Sequence, residues 1–158
     1  MLAEPLVAPA PEPEALGAGQ VRRMGLADLD EMGAWLIQRL TTVHPEATPR
    51  EIMGWLRGAI ASNEVWLVRS AHCAAMAQVV RLPLERQPIA TELFVFAQDG
   101  FLEEAAELYR PMASWAAHLD CSRLEVERCS DVARRDIRDV VGPLITKTLA
   151  HLRIGSLA

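Results

Sequence analysis

The sequence predicts an α/β domain in which three consecutive antiparallel strands stand among amphipathic helices, and three observations lead there. Apolar side chains recur at helical spacing up to about residue 60, then alternate with a period near two over residues 64–97. The run Thr48-Pro49-Arg50-Glu51 carries the chemistry of a helix start. The 158 residues, 51% hydrophobic and 23% charged, have the size and composition of one domain with enough chain to bury a core.

Residues 1–20, MLAEPLVAPAPEPEALGAGQ, hold four Pro, two Gly and three Glu with no base. Such a stretch cannot pack a core and favours extended backbone, so it reads as a Pro/Ala-rich arm ahead of a single domain over residues 21–158. Gln20 to Met24 is a short basic strand. A helix follows over Leu26 to Leu40, with Leu29, Met32, Leu36 and Leu40 at helical spacing and Asp28, Asp30 and Glu31 in the first turn, where the helix dipole favours them. In the next helix Thr48 is the cap, Pro49 takes the first helical position, and Glu51 reaches back to complete a capping box. It buries Ile52, Trp55, Leu56 and Ile60 and stops near Ser62 and Asn63.

Glu64 to Arg69, Cys73 to Leu82 and Ile89 to Ala97 then read as three strands, joined by a turn at Ser70 to His72 and a loop over Pro83 to Pro88. A helix from Phe101 to Leu119 is expected to kink at Pro111. Arg123 to Glu127 is a short strand, and Asp131 to Arg153 reads as a helical region divided by Gly142 and Pro143.

The charge narrows the function. Sixteen basic side chains, fifteen of them Arg, stand against twenty-one acidic ones for a net charge of −5, which excludes a general electrostatic grip on nucleic acid. No apolar stretch reaches the length of a membrane span. Three cysteines, Cys73, Cys121 and Cys129, read as reduced thiols of a cytoplasmic protein.

Over residues 20–153 the order strand, helix, helix, three strands, helix, strand, helix resembles the GNAT superfamily of acyl-CoA N-acyltransferases. VRRMGLADLDEM looks like that family's first strand and helix start, and SWAAHLDCSRLEVE like the end of its central helix entering the fifth strand. The resemblance implies a mixed, mostly antiparallel sheet flanked by helices. It also implies a loop after the fourth strand in which Arg or Gln, two residues, Gly, one residue, then Gly or Ala cradle the pyrophosphate of acetyl-CoA with backbone N–H groups. Counting back from Trp115 puts Gly100 at the basic position, Glu103 at the first glycine and Ala105 at the second, and only Ala105 fits.

Charge makes the mismatch consequential. Asp99, Glu103, Glu104 and Glu107 crowd one helix start before the first base, Arg110. Two like charges about 4 Å apart repel by roughly 4 kcal/mol at an effective dielectric near 20. Each 1.4 kcal/mol is about a factor of ten in affinity. The expectation is therefore a degenerate site without a cofactor.

The chemistry residues point the same way. Many members of the family place a Tyr in the last helix to protonate the departing thiolate, whereas the only Tyr here, Tyr109, lies in the central helix. Were the chain an enzyme, Cys129 or Ser130 after the fifth strand would be the substitute acid and Glu92 a base acting through water. Against this stand ordinary roles: a buried thiol, a capping Ser, and a polar position on an alternating strand.

Other constellations are weaker. His118, Cys121, Cys129, His72 and Cys73 lack metal-ligand spacing, so no metal site is expected. Trp35, Trp55, Trp66 and Trp115 fall on apolar positions and read mainly as core. Arg134, Arg135 and Arg138 interleave with Asp131, Asp136 and Asp139 as a salt-bridged surface. The expected function is a non-catalytic structural or interaction module that meets protein partners through its arm. Small virion-associated proteins of short-tailed phages have a similar degenerate acyltransferase appearance, which extends the resemblance to a phage particle component. The alternative is an acetyl-CoA-dependent N-acetyltransferase with an atypical cofactor loop.

Overall fold

A computed structural model describes residues 16, 20–126, 129–133, 135–140 and, as backbone, 151–154. The arm expected over residues 1–20 lies almost wholly outside the described residues, as does the division expected at Gly142 and Pro143. In chain order the elements are β1 (Arg22–Arg23), α1 (Leu26–Val43), α2 (Pro49–Ala61), β2 (Val65–Arg69), β3 (Cys73–Val80), β4 (Ile89–Ala97), α3 (Leu102–Glu107), α4 (Tyr109–His118), β5 (Arg123–Val126) and β6 (His151–Ile154). Residues 135–140 are also helical.

The strands form one sheet in the order β1-β2-β3-β4-β5-β6. The first four are mutually antiparallel. β5 and β6 then continue in parallel with β4. The expected mixed, mostly antiparallel α/β architecture is therefore present.

The start of α2 is the part of the sequence most fully realised. Thr48 Oγ1 accepts the Glu51 N–H at 3.2 Å, and Glu51 Oε2 accepts the Thr48 N–H at 3.0 Å. α1 starts differently: Gly25 offers no side chain, so Asp28 accepts the Gly25 N–H at 2.8 Å.

Alternation on the strands sorts two cores. Leu67, Ala74, Met76, Phe94 and Phe96 face α1 and α2 with Leu36, Leu40, Ile52 and Leu56. Val68, Cys73, Ala75, Ala77, Val95 and Ala97 face α3 and α4 with Ala106, Tyr109, Met112, Ala113 and Ala116. Small residues on both sides of this second core let α4 lie close to the sheet.

A slip in the β3–β4 register sets the phase of the wall. Met76 pairs with Phe94 and Ala77 with Glu92, leaving Leu93 as the extra residue of a bulge. Leu93 and Phe94 consequently both pack toward α1 and α2. Without the bulge Phe94 and Phe96 would point to the other face. Instead they stack at 4.7 Å and receive Trp55 and Trp35 at 6.4 and 6.5 Å.

Three expectations need correction. The central helix breaks at Leu108 into α3 and α4, because Pro111 has no N–H to give the Glu107 carbonyl one turn earlier. The helical region expected to run to Arg153 gives way at its end to β6, His151–Ile154, which is the second parallel partner of β5. Trp55, expected in the core, is 42% exposed, whereas Trp66 is buried.

Candidate functional site

A cleft of about 410 Å3 opens between the C-terminal end of α1 and the segment that follows β5. Arg39, Thr42, Phe96, Cys129, Ser130 and Asp131 are among its lining residues. α1 brings Arg39, and its three residues beyond the expected end at Leu40 add Thr42 and Val43 to the wall. The guanidinium lies 4.5 Å above the Phe96 ring and ion-pairs with Asp131. Asp131, expected among a surface row of alternating charges, instead turns inward to this site.

Backbone pairing ties the same segment to β4. Among the described residues, β4 pairs with β5 at Ala90 and Thr91 and again with Ser130 at Val95. There the Val95 N–H donates to the Cys129 carbonyl at 3.0 Å, and the Asp131 N–H to the Val95 carbonyl at 3.1 Å. Asp131 Oδ2 then takes the Ala97 N–H at 2.9 Å. The C-terminal half of this β4 edge is thus occupied by the chain itself.

Between the two paired zones, Glu92 sits fully buried beside the bulge. Tyr109 Oη lies 3.0 Å from Glu92 Oε1 and 2.6 Å from Ser130 Oγ. Ser130 Oγ also accepts the Val132 N–H at 3.0 Å. The Tyr109 hydroxyl therefore links a buried carboxyl group to the wall of the cleft.

Of the residues singled out for acid–base work, Glu92 and Ser130 are joined through Tyr109. Cys129 stands beside them on the cleft, but burial, then the negative charges of Glu92 and Asp131, push its thiol pKa up, so it is a protonated, poor nucleophile at neutral pH. Tyr109, not expected to serve as an acid from the central helix, is the residue that joins Glu92 and Ser130. One signal pointed to it: Tyr109, Met112, Ala113 and Ala116 share one helical face, all buried, and a buried phenol needs a polar partner.

The positions aligned with a pyrophosphate loop fall in the turn after β4 and in α3. Gly100 has φ +88°, a conformation that suits glycine, in the turn leading to α3. Glu103 is exposed in the first turn of α3, and Ala105 is fully buried against the sheet. Glu104 folds inward: Oε2 accepts the Ser70 hydroxyl at 3.1 Å and the His72 N–H at 2.9 Å, and Oε1 lies 3.5 Å from His72 Nδ1. Burial works to raise its pKa, but these donors and the Cys73 thiol outweigh it and hold the carboxyl below its usual range. In return burial and Glu104 push the Cys73 thiol up to about 12. Glu107 pairs with Arg110 at 3.2 Å.

Among the described residues no group of three His, Cys, Asp or Glu lies close enough to hold a metal ion, and no helix is long and apolar enough to cross a membrane.

No protein-family model and no curated protein matches the sequence. Among solved structures, an aminoglycoside acetyltransferase from an uncultured soil metagenomic sample, in complex with sisomicin, aligns with 88% of this chain and 93% of its own, at a TM-score of 0.49 and 10% identity.

Proposed function

We propose that this chain is a GNAT-like protein with a degenerate cofactor site, working as a structural or interaction component without acyl-CoA turnover. The observation that supports this best is the edge of β4. An extended ligand adds to a sheet through unpaired N–H and C=O groups, and at Val95 and Ala97 residues 129–131 already hold them. The turn that would meet a pyrophosphate carries Glu103 outward and commits Glu104 to Ser70 and His72. These residues do not fit acetyl-CoA. An assembly of proteins, a phage particle among them, is the setting we assign, with residues 1–20 as the partner-binding arm and the cytoplasm or the virion as the location.

A second reading, an acetyl-CoA-dependent N-acetyltransferase with Glu92 as base, draws on the connection from Glu92 through Tyr109 to Ser130. It requires residues 129–131 to leave β4. Calorimetric titration with acetyl-CoA separates the two. No heat of binding up to millimolar coenzyme is expected, and a micromolar Kd would replace the first reading with the second.

A further inference from the structure

We propose that Ser130 is an acyl-accepting hydroxyl, primed by Tyr109 and Glu92, and that the cleft it lines takes small acyl esters without any nucleotide. The inference goes beyond a binding role, because a buried proton acceptor wired to a cleft has a use that packing alone does not explain.

The geometry is that of an activated nucleophile generalised from the serine triad: a hydroxyl within hydrogen-bond reach of a proton acceptor, which a third group orients in turn. Ser130 Oγ lies 2.6 Å from Tyr109 Oη, which lies 3.0 Å from Glu92 Oε1. Glu92 and Tyr109 are both fully buried, so the carboxylate is shielded from solvent, while half-buried Ser130 remains on the cleft wall. The Val132 N–H donates to Ser130 Oγ at 3.0 Å and fixes the position of the hydroxyl. Phe96, Val43 and Val132 give the cleft one apolar wall that a short acyl chain could lie against, and Arg39, Thr42 and Asp131 make the rest of it polar.

In the acylation step Ser130 Oγ bonds to the carbonyl carbon of the ester as the bond from that carbon to the leaving oxygen breaks. The Ser130 proton passes to Tyr109 Oη while the phenol proton passes to Glu92. The leaving oxygen departs with a proton returned along the same path or taken from water. Water then attacks the acyl-serine, releasing the carboxylic acid and restoring the hydroxyl, so the net change is hydrolysis of one ester.

The test uses the full chain and two probes, a fluorophosphonate and p-nitrophenyl acetate. Mass mapping after fluorophosphonate treatment is expected to place one adduct on Ser130 and none on Cys129. Tyr109→Phe, which removes the relay hydroxyl but keeps the ring, should slow labelling and nitrophenol release at least tenfold with the circular dichroism spectrum unchanged. If Tyr109→Phe does not fold, Glu92→Gln takes its place with the same expected loss. An unlabelled Ser130 overturns the proposal, as does a folded relay variant that reacts at the wild-type rate. Neither probe contains a nucleotide, so this result and the acetyl-CoA titration fail independently.

Discussion

Two buried polar clusters of the same molecule are built on opposite plans. At the start of α1, Arg69 and Asp28, each 3% exposed, form an ion-paired set with Arg22 and Glu31. Arg69 uses all five donors: Nε on the Ser70 carbonyl, Nη1 on Asp28 and Glu31, Nη2 on Glu31 and the Ala71 carbonyl. Asp28 in turn accepts from Arg22 at 2.6 Å and from the Gly25 N–H. These bonds tie α1 to β1 and to the turn after β2. The Glu92–Tyr109–Ser130 cluster instead reaches from the core to the wall of a cleft. Ion pairs between elements fix a structure, whereas hydroxyls that reach a cavity can move a proton to something bound there. The contrast is the reason for assigning stability to the first and chemistry to the second.

The sharpest way to break this contrast is Arg69→Met. The substitution takes one of its two arginines from buried Asp28 and strips the Ser70 and Ala71 carbonyls of their donor, and breaking a buried ion pair typically costs about 3–5 kcal/mol. Urea denaturation should show a loss of that size with little change in slope, while Ser130 labelling of the remaining folded protein is unaffected. A loss below about 1 kcal/mol would mean that the cluster does not hold α1 in place. By comparison, Tyr109→Phe removes hydrogen bonds but leaves the ring in its packing, so its stability cost should be about 1–3 kcal/mol. Its main effect should fall on reactivity. A Tyr109→Phe protein as destabilised as Arg69→Met would remove the distinction between the clusters.

The sequence revealed these clusters unequally, and the reason is the range of the interactions. Capping at Thr48 and Glu51, the helical stripe of α1 and the alternation of β2 to β4 arise within a few residues and were legible. The bulge at Leu93 was not, since it depends on how β3 and β4 pair and no Gly or Pro marks it. Nor was the return of residues 129–131 to β4, made by backbone groups that every residue carries. Glu92 and Ser130 could be picked as candidates by residue type, but Tyr109, which joins them, is 17 and 21 residues away from them along the chain. The acidic start of α3 was visible as a charge count. What the count missed is that Glu104 has partners, because Ser70 and His72 come from a turn more than thirty residues earlier.

The smallest effect tests how much of the ion-paired cluster its exposed corner supplies. Glu31 lies 2.7 Å from Arg69 Nη1, yet its side chain is 64% exposed, so solvent screens the pair and Glu31→Gln should cost about 0.2–1 kcal/mol at neutral pH. The pH dependence separates this from a packing effect. The hydrogen bond from Arg69 is the largest influence on Glu31 and holds its pKa below the ordinary 4.5. For Asp28, burial alone would raise the pKa, but the Gly25 N–H and the two arginines bring the net result below 3.8. A carboxyl depressed in the folded state binds protons more readily when unfolded, so its contribution is complete above the unfolded pKa and disappears as pH falls through the folded one. Wild-type stability should accordingly hold down to about pH 5 and fall below 4.5, with the Asp28 share beginning to go only below 3.8. Glu31→Gln cannot lose the increment it never had, so its denaturation midpoint should start lower at pH 7 and converge on the wild type as the pH drops below 4.5. A constant separation between the two curves down to the lowest pH at which both remain folded would show that the substitution acts through packing, and Glu31 would no longer count as a charged member of the cluster.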